Sequence, residues 1–188
     1  MLIGIDGYSA SRKTTIADLV GQKNRSVAVV HLDDLLKAST ERVKLMRLSK
    51  DQSKVFELQW YRYNVLNEIV KQWQVGRKRT YSVRVYDFDK KKYAIRRYDI
   101  SRRILLIEGI FLYHPRHSIS QKFDKRIYLD VDFDKADVRR THREKKRWGK
   151  EYVDEHHPDS FVRPFKQAYR RYYKKYHPDQ IADFVIKT

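Results

Sequence analysis

Residues 1–15 read Met1-Leu-Ile-Gly-Ile-Asp-Gly-Tyr-Ser-Ala-Ser-Arg-Lys-Thr-Thr15, and this stretch predicts a buried strand, a glycine turn and the start of a helix. Leu2, Ile3 and Ile5 form a short apolar run that is typical of a central parallel strand. Gly7 has the backbone freedom that a sharp turn after this strand requires. A strand, a glycine loop and a helix in this order are the parts of a phosphate-binding loop.

Lys13 and Thr14 stand where the predicted helix begins. A helix N-terminus presents unpaired N–H groups and a partial positive charge, so phosphate oxygens bind there. In such loops the lysine contacts the β- and γ-phosphates and the hydroxyl binds Mg²⁺. The motif has glycine just before the lysine, whereas this chain has Arg12, and a core strand followed by a Ser/Thr-capped helix is the alternative. The residues predicted to bind nucleotide are Gly7, Ser9, Ala10, Ser11, Arg12, Lys13, Thr14 and Thr15.

Length and composition predict one domain over residues 1–188. The chain has 41% hydrophobic residues, which is enough for a single core. Its formal net charge of +18 suggests polyanionic ligands, namely nucleotides, nucleic acid or an anionic surface. A surface merely solvated by lysine is the alternative, because the charges are dispersed along the chain.

The absence of cysteine excludes disulfides and thiolate metal sites. The seven histidines show no metal-ligand spacing, so we expect capping or surface positions for them, including His114 and His117. No apolar stretch approaches the length of a membrane span, and the first strand begins at Met1, which predicts neither a membrane segment nor a signal peptide. We therefore expect a cytoplasmic protein with no membrane partner.

Two further apolar runs end in carboxylates. Val27–Leu32 is followed by Asp33 and Asp34, and the run 103–110 contains Glu108 just before a glycine. Ligands of open α/β sheets gather at the carboxyl ends of the strands. We therefore predict that Asp33 lies beside the phosphate loop, just past a strand that runs next to the phosphate-loop strand.

The remaining pattern predicts a three-layer α/β/α fold with a central parallel sheet of about five strands. Residues 125–132 and 184–186 supply the last two strands, and helical patterns separate the strands at 14–22, 39–74 with a break near 49–53, 135–146 and 159–176. Residues 80–85 alternate in the β manner and lead into a basic stretch. This part is either a hairpin arm reaching over the site or a solvated β-ribbon.

Three arginines recur at one-turn spacing in the helix that follows the fourth strand. Arg139, Arg140 and Arg143 can place at least two guanidinium groups on one face, pointing at one anion. A solvent face rich in salt bridges is the alternative interpretation.

Several of these segments follow one another along the chain in a fixed order. They are Gly7 to Thr15, His31-Leu-Asp-Asp34, Val85-Tyr-Asp-Phe88, Leu106-Ile-Glu-Gly-Ile110, Asp130-Val-Asp-Phe-Asp134 with Arg139-Arg-Thr-His-Arg143, and Phe161-Val-Arg-Pro-Phe165 to Ile181-Ala-Asp-Phe-Val-Ile186. In this order they resemble the uridine kinase and phosphoribulokinase family over nearly the whole chain. The resemblance implies a P-loop NTPase-type fold with an arginine-bearing lid at approximately 139–158.

The resemblance also implies ATP-dependent and Mg²⁺-dependent phosphoryl transfer to a hydroxyl of a nucleoside or related small metabolite. Lys13 would hold the phosphates, and Thr14 would bind Mg²⁺, with Glu108 bound to the ion through water. Asp33 would accept the proton of the attacking hydroxyl, while Arg140 and Arg143 would neutralise the charge on the transferred group. These four residues, Asp33, Lys13, Arg140 and Arg143, are the predicted catalytic set.

The acceptor site is predicted from Asp33, Arg140, Tyr86, Phe88 and Lys91. Tyr86 and Phe88 either present ring faces to a base or sugar or simply pack in the hairpin. Lys91 falls near the position of a histidine that contacts the pyrimidine in uridine-type enzymes. A lysine there would suit an acceptor that carries a phosphate or a carboxylate.

A second reading is a catalytically weak P-loop protein that binds nucleotide or RNA as a regulator. The run Tyr169-Arg-Arg-Tyr-Tyr-Lys-Lys-Tyr176 interleaves charge and aromatic rings, which can bind single strands. Its helical periodicity favours packing instead, and the presence of Lys13, Asp33 and Glu108 favours chemistry. Nucleic acid is therefore the less favoured partner, and the sequence does not specify an oligomeric state.

Overall fold

The computed structural model describes residues 1–87, 90, 92–157 and 159–188. In these residues the strands are β1 (Leu2–Gly7), β2 (Val27–His31), β3 (Thr80–Asp87), β4 (Lys92–Asp99), β5 (Ile104–Glu108), β6 (Lys125–Asp130) and β7 (Phe184–Lys187). The α-helices are α1 (Lys13–Lys23), α2 (Ser39–Leu48), α3 (Gln52–Leu58), α4 (Tyr63–Val75), α5 (Phe133–Trp148) and α6 (Val162–Tyr176).

Five strands form the predicted central parallel sheet, in the order β2-β5-β1-β6-β7. One expectation about it is wrong: β2 does not lie next to β1, because β5 is inserted between them. In the register, Glu108 of β5 lies opposite Ile5 on one side and His31 on the other. The insertion places the Glu108 carboxylate between the phosphate loop and the segment that carries Asp33.

Side chains alternate across the sheet and create two hydrophobic cores. On one face Ile5, Leu106 and Leu129 pack with Ala17 of α1. On the other face Leu105 and Ile107 join the larger core, to which α2, α3, α4, α6 and the hairpin contribute. This arrangement confirms the three-layer fold.

The predicted helical region 39–74 is divided into α2, α3 and α4. Asp51 caps α3, because its carboxylate accepts hydrogen bonds from the backbone N–H groups of Ser53 at 3.1 Å and Lys54 at 3.3 Å. Gly76 ends α4 with a φ of 67°. Among the described residues, no helix is both long and apolar enough to cross a membrane.

Strands β3 and β4 pair as an antiparallel hairpin outside the main sheet. Val83 and Val85 are buried in the core. Asp34, just after β2, anchors the hairpin: it accepts hydrogen bonds from Arg96 at 2.8 Å and from the hydroxyl of Tyr98. The hairpin is therefore held against the segment that follows Asp33 and is not a free ribbon.

Two histidines that we expected at caps or at the surface are buried. His114 and His117 are 1% and 6% exposed. The Nε2 of His117 donates to the carbonyl oxygen of Glu57 at 2.7 Å, and its ring stacks on Tyr63 with centroids 3.6 Å apart. Burial lowers the pKa of His117 to about 4, so the ring is neutral at pH 7.

Candidate active site

Gly7 gives the loop after β1 its path. Its φ is 155°, and a Cβ atom there would lie 2.7 Å from the carbonyl oxygen of Leu129. A side chain at this position would therefore displace backbone of the neighbouring strand β6. Gly7 allows the close approach with which the loop begins.

Lys13 is buried beneath the loop. Its ammonium group donates to the carbonyl oxygens of Gly7 at 2.9 Å and of Tyr8 at 2.7 Å. Burial lowers the pKa of Lys13, and the negative charges of Glu108 and Asp6 partly oppose this effect. The loop therefore holds a desolvated cation against its own backbone, at the start of α1.

A cavity of about 310 Å³ opens above this loop. Seven of the eight residues predicted to bind nucleotide line it: Ser9, Ala10, Ser11, Arg12, Lys13, Thr14 and Thr15. Gly7 is not in the lining, since it lies at the base of the loop against β6. Asp33, Glu108, Arg139 and Arg143 complete the polar wall.

Glu108 and Thr14 bring two kinds of oxygen together at the edge of the cavity. The hydroxyl of Thr14 donates to Oε1 of Glu108 at 3.1 Å. Mg²⁺ prefers oxygen ligands and is typically held by one or two protein oxygens together with phosphates and water. The pair fits such an ion.

In the part of the chain that the structure describes, no cluster of three or more His, Cys, Asp or Glu side chains could hold a metal. An ion here would therefore need the phosphates of a nucleotide.

His31 contacts the same oxygen of Glu108 as Thr14 does. Its Nδ1 lies 2.9 Å from Oε1 of Glu108, and its Nε2 lies 3.2 Å from Oδ1 of Asp18. Burial lowers the pKa of His31, but the hydrogen bond to Glu108 and the two carboxylate charges outweigh burial and raise it. The imidazolium form is thus stabilised next to the candidate metal-site carboxylate.

Asp33 lies in the wall of two cavities, the smaller one and a larger one of about 940 Å³. Its Oδ1 accepts a hydrogen bond from the hydroxyl of Tyr61 at 3.2 Å. Burial raises the pKa of Asp33, as does the charge of Glu108, while Lys13 and Tyr61 oppose the shift. A carboxylate with a raised pKa is a stronger proton acceptor than one with the ordinary value.

The arginines of α5 divide between the two cavities. Arg139 donates to the carbonyl oxygen of Ala10 and Arg143 to the hydroxyl of Ser9, each at 3.4 Å. We expected Arg140 to be the partner of Arg143, but Arg140 lines only the larger cavity. Residues four apart share a helix face, which explains why Arg139 and Arg143 both reach the phosphate loop.

Arg140 is 7% exposed and pairs with Asp137 at 3.2 Å. Its guanidinium group lies 5.9 Å from the ring centroid of Phe165. Arg140 thus lies in the wall of the larger cavity, and its contact with a substrate stays a prediction.

The larger cavity extends from Asp33 to the hairpin. Tyr86 and Tyr93 line it, with ring centroids 5.3 Å apart in an edge-to-face pair. Tyr86 therefore both packs in the hairpin and faces the cavity. Phe88 and Lys91, the other two predicted acceptor contacts, lie outside the described residues.

Sequence reasoning missed Tyr8, which lies outside both cavity linings, and several residues that line the cavities. Tyr8 is 3% exposed, and its hydroxyl donates to Asp137 of α5 at 2.8 Å, which connects the phosphate loop to the arginine helix. Tyr61, Trp60 and Arg42 line the cavities without belonging to a recognised motif. The aromatic stretch at 59–64 is the signal that could have identified Tyr61 and Trp60, whereas nothing in the sequence distinguishes Arg42 from other arginines.

Comparison with known proteins identifies a family of kinases. The model described as the phosphoribulokinase/uridine kinase family matches residues 2–187. A chloroplastic uridine/cytidine kinase of Arabidopsis thaliana is 26% identical over an alignment of 152 residues that covers 76% of this chain and 29% of that protein. The chain thus spans less than a third of this relative's length.

Two solved structures show the same fold. A possible uridine kinase of Bacillus stearothermophilus superposes with a TM-score of 0.70 and 22% identity, covering 99% of this chain and 88% of the other. Phosphoribulokinase of Rhodobacter sphaeroides gives a TM-score of 0.64 and 13% identity, covering 99% and 69%. At these identities the likeness establishes the fold alone.

Proposed function

Because this chain belongs to the phosphoribulokinase/uridine kinase family, we propose that it transfers the γ-phosphoryl group of ATP to a hydroxyl of a nucleoside or related small metabolite. Kinases among its relatives and fold neighbours support ATP-dependent phosphoryl transfer. The hydroxyl acceptor and the residues that act on it belong to this proposal.

The position of Asp33 carries the proposal. Asp33 is shared by the phosphate-loop cavity and the larger cavity. The reacting hydroxyl of a kinase must meet the terminal phosphate with a proton acceptor beside it. A carboxylate at the junction of two cavities meets this requirement if the triphosphate occupies one and the acceptor the other.

The mechanism assigned to these residues is an in-line displacement. Asp33 accepts the proton of the acceptor hydroxyl, whose oxygen forms a bond to the γ-phosphorus. The bond between that phosphorus and the bridging oxygen of ADP breaks, and ADP leaves with the bonding electrons. Tyr61 orients Asp33 through its hydrogen bond.

Lys13 and the loop N–H groups hold the phosphates, and Arg139 and Arg143 neutralise charge that spreads over the transferred group. Thr14 and Glu108 would hold Mg²⁺, which supplies charge neutralisation at the phosphates when it is bound. The segment at approximately 139–158 is proposed to move as a lid that closes over the triphosphate and excludes water.

The test begins with a search for the product. We expect incubation with ATP, Mg²⁺ and a panel of nucleosides and small hydroxyl acids to yield one acceptor whose mass rises by a single phosphoryl group. With that acceptor, Asp33→Asn is expected to lower kcat by about 100-fold or more, with unchanged affinity for a non-hydrolysable ATP analogue.

Asp34→Asn is the matched control, because Asp34 is the adjacent carboxylate but faces the hairpin. This variant is expected to raise the acceptor KM while most of kcat remains. A full rate in Asp33→Asn would remove Asp33 from the mechanism. Failure of the wild-type protein to bind the ATP analogue would refute the proposed function itself.

A further inference from the structure

Seven cationic side chains line the larger cavity, and five of them are already paired within the protein. These five are Lys37 with Glu41, Arg62 with the carbonyl oxygens of Asp34 and Arg84, Arg140 with Asp137, and Arg143 and Arg147 with Glu144. The remaining two are Arg42 and Arg84. Within the described residues, neither side chain has a carboxylate or carbonyl partner.

Arg42, on α2, is held by an aromatic ring. Its guanidinium carbon lies 4.7 Å from the ring centroid of Trp60. Trp60 is itself fixed by Phe56 and Phe161, at centroid distances of 4.1 and 5.7 Å. The guanidinium group is therefore positioned before any ligand arrives, and little side-chain entropy remains to be lost on binding.

The environment of Arg42 is unfavourable for an unpaired charge. Its Nε is buried without a hydrogen-bond partner in the structure. Burial lowers the pKa of the Arg42 guanidinium, and the charge of Asp33 only partly opposes this effect. Partly removing a cation from water without a counter-charge costs free energy, and an anion bound at this position would lower that cost.

Arg84, an exposed arginine on the hairpin, also lies over an aromatic ring. Its guanidinium carbon lies 4.3 Å from the ring centroid of Tyr93, and both residues line the same cavity. Two aromatic-backed arginines from separate elements thus face one cavity whose wall includes Asp33. Planar guanidinium groups are well suited to bind carboxylate and phosphate oxygens.

We propose that the acceptor carries an anionic group, a carboxylate or a phosphate, which Arg42 and Arg84 bind while a hydroxyl of the same molecule faces Asp33. The inference rests on the proposed function and narrows its substrate class from hydroxyl metabolites in general to acidic ones. A neutral nucleoside would leave the half-buried guanidinium of Arg42 without a counter-charge, whereas an acid would pair with it.

The experiment compares acidic and neutral molecules of similar shape. The wild-type protein is saturated with a non-hydrolysable ATP analogue and Mg²⁺, which fills the phosphate loop, and is then titrated by calorimetry. The probes are D-glycerate against glycerol and ribose 5-phosphate against ribose. At least one acid is expected to bind ten or more times more tightly than its neutral partner, and which acid does so distinguishes a carboxylate from a phosphate.

Arg42→Met keeps the apolar stem on Trp60 and removes the charge. It is expected to weaken binding of the preferred acid at least tenfold while the affinity for the neutral partner is unchanged, and Arg42→Lys is expected to recover part of the loss. Arg47→Met is the control, because Arg47 lies on the same helix but is exposed and outside the cavity lining. Arg84→Met supplies a second test on a different element, should Arg42→Met fail to fold.

Equal affinity for acidic and neutral probes, no binding of either acid, or unchanged acid binding in folded Arg42→Met and Arg84→Met would each overturn the inference. In all three cases the ATP analogue still binds, so the proposed phosphoryl transfer would survive. Loss of analogue binding by the wild-type protein would instead refute the proposed function.

Discussion

Arg12 lies in the left-handed region of the backbone, with a φ of 66°, at the position where the phosphate-loop motif has glycine. A side chain in this conformation costs about 1 kcal/mol. We therefore expect Arg12→Gly to raise the free energy of unfolding by about that amount in urea denaturation. We also expect the affinity for ATP with Mg²⁺ to stay the same or rise, because Arg12 is exposed and Lys13 and the α5 arginines supply positive charge.

Arg12→Ala is the matched control for this prediction. It removes the guanidinium but keeps a side chain at positive φ, so its stability should stay near that of the wild type. A Kd for ATP more than tenfold weaker in both variants would instead make Arg12 a phosphate ligand.

Asp6 connects the phosphate loop to α6, and its burial should make the stability of the protein depend on pH. Its carboxylate is fully buried and accepts hydrogen bonds from the N–H of Gly7 and the hydroxyl of Tyr172. Burial raises the pKa of Asp6 to about 6, with these bonds opposing. Because the folded-state pKa is above that of the unfolded chain, the contribution of Asp6 to stability is complete below about pH 4 and lost as pH rises through about 6.

The variant Asp6→Asn should lack this dependence. We expect the unfolding free energy of this variant, relative to that of the wild type, to rise by about 2 kcal/mol between about pH 4 and about pH 7. Comparing the two proteins at each pH cancels the constant cost of replacing one carboxylate oxygen by an amide. A difference that does not change with pH would show that Asp6 titrates near its ordinary value.

Among the elements, α5 is the one whose motion the proposed function requires. Arg139 and Arg143 contact the phosphate loop, and residues 149–151 follow the helix with Gly149 at a φ of 53°. We expect limited proteolysis to cut near residues 145–150 in the free protein and to slow when a non-hydrolysable ATP analogue and Mg²⁺ are added.

Arg143→Gln should abolish most of this protection, whereas Arg163→Gln, an exposed arginine on α6, should leave it intact. Equal cutting with and without saturating analogue would contradict a lid. Weak protection in the Arg143 variant that returns at higher analogue concentration would only reflect lower affinity, so the titration must reach saturation.

The strands of the sheet illustrate which features the sequence could predict and which it could not. Apolar runs ending in Asp33 and Glu108 identified the strands and the edge where ligands gather, because strand burial and carboxylate position are local properties. The insertion of β5 between β1 and β2 is a pairing between distant segments, and apolar runs of similar composition do not specify their neighbours. Likewise the contact between Arg42 and Trp60 joins α2 to the turn between α3 and α4, so no spacing along the chain reveals it.

At the scale of the whole molecule, the +18 charge raises the question of nucleic acid binding. The aromatic run on α6 does not support it. Tyr169 and Tyr172 are fully buried, and Tyr173 and Tyr176 pack against Phe133 and His114. Ring faces that are covered by the core cannot stack on bases. What remains for a nucleic acid is the dispersed surface charge, which binds without specificity.

This distinction predicts two different responses to salt and to the loss of Lys13. A fluorescent single-stranded oligonucleotide should lose at least about tenfold in affinity from about 50 to about 200 mM NaCl, because binding by surface charge releases counterions. A fluorescent ATP analogue with Mg²⁺ should lose less, since a buried lysine and backbone N–H groups in a cavity are screened weakly. Lys13→Met should weaken binding of the ATP analogue at least tenfold and leave the affinity for the oligonucleotide unchanged. If the oligonucleotide instead competes with the analogue and also depends on Lys13, the cavity above the phosphate loop would be a nucleic acid site, and the regulatory interpretation would replace the kinase.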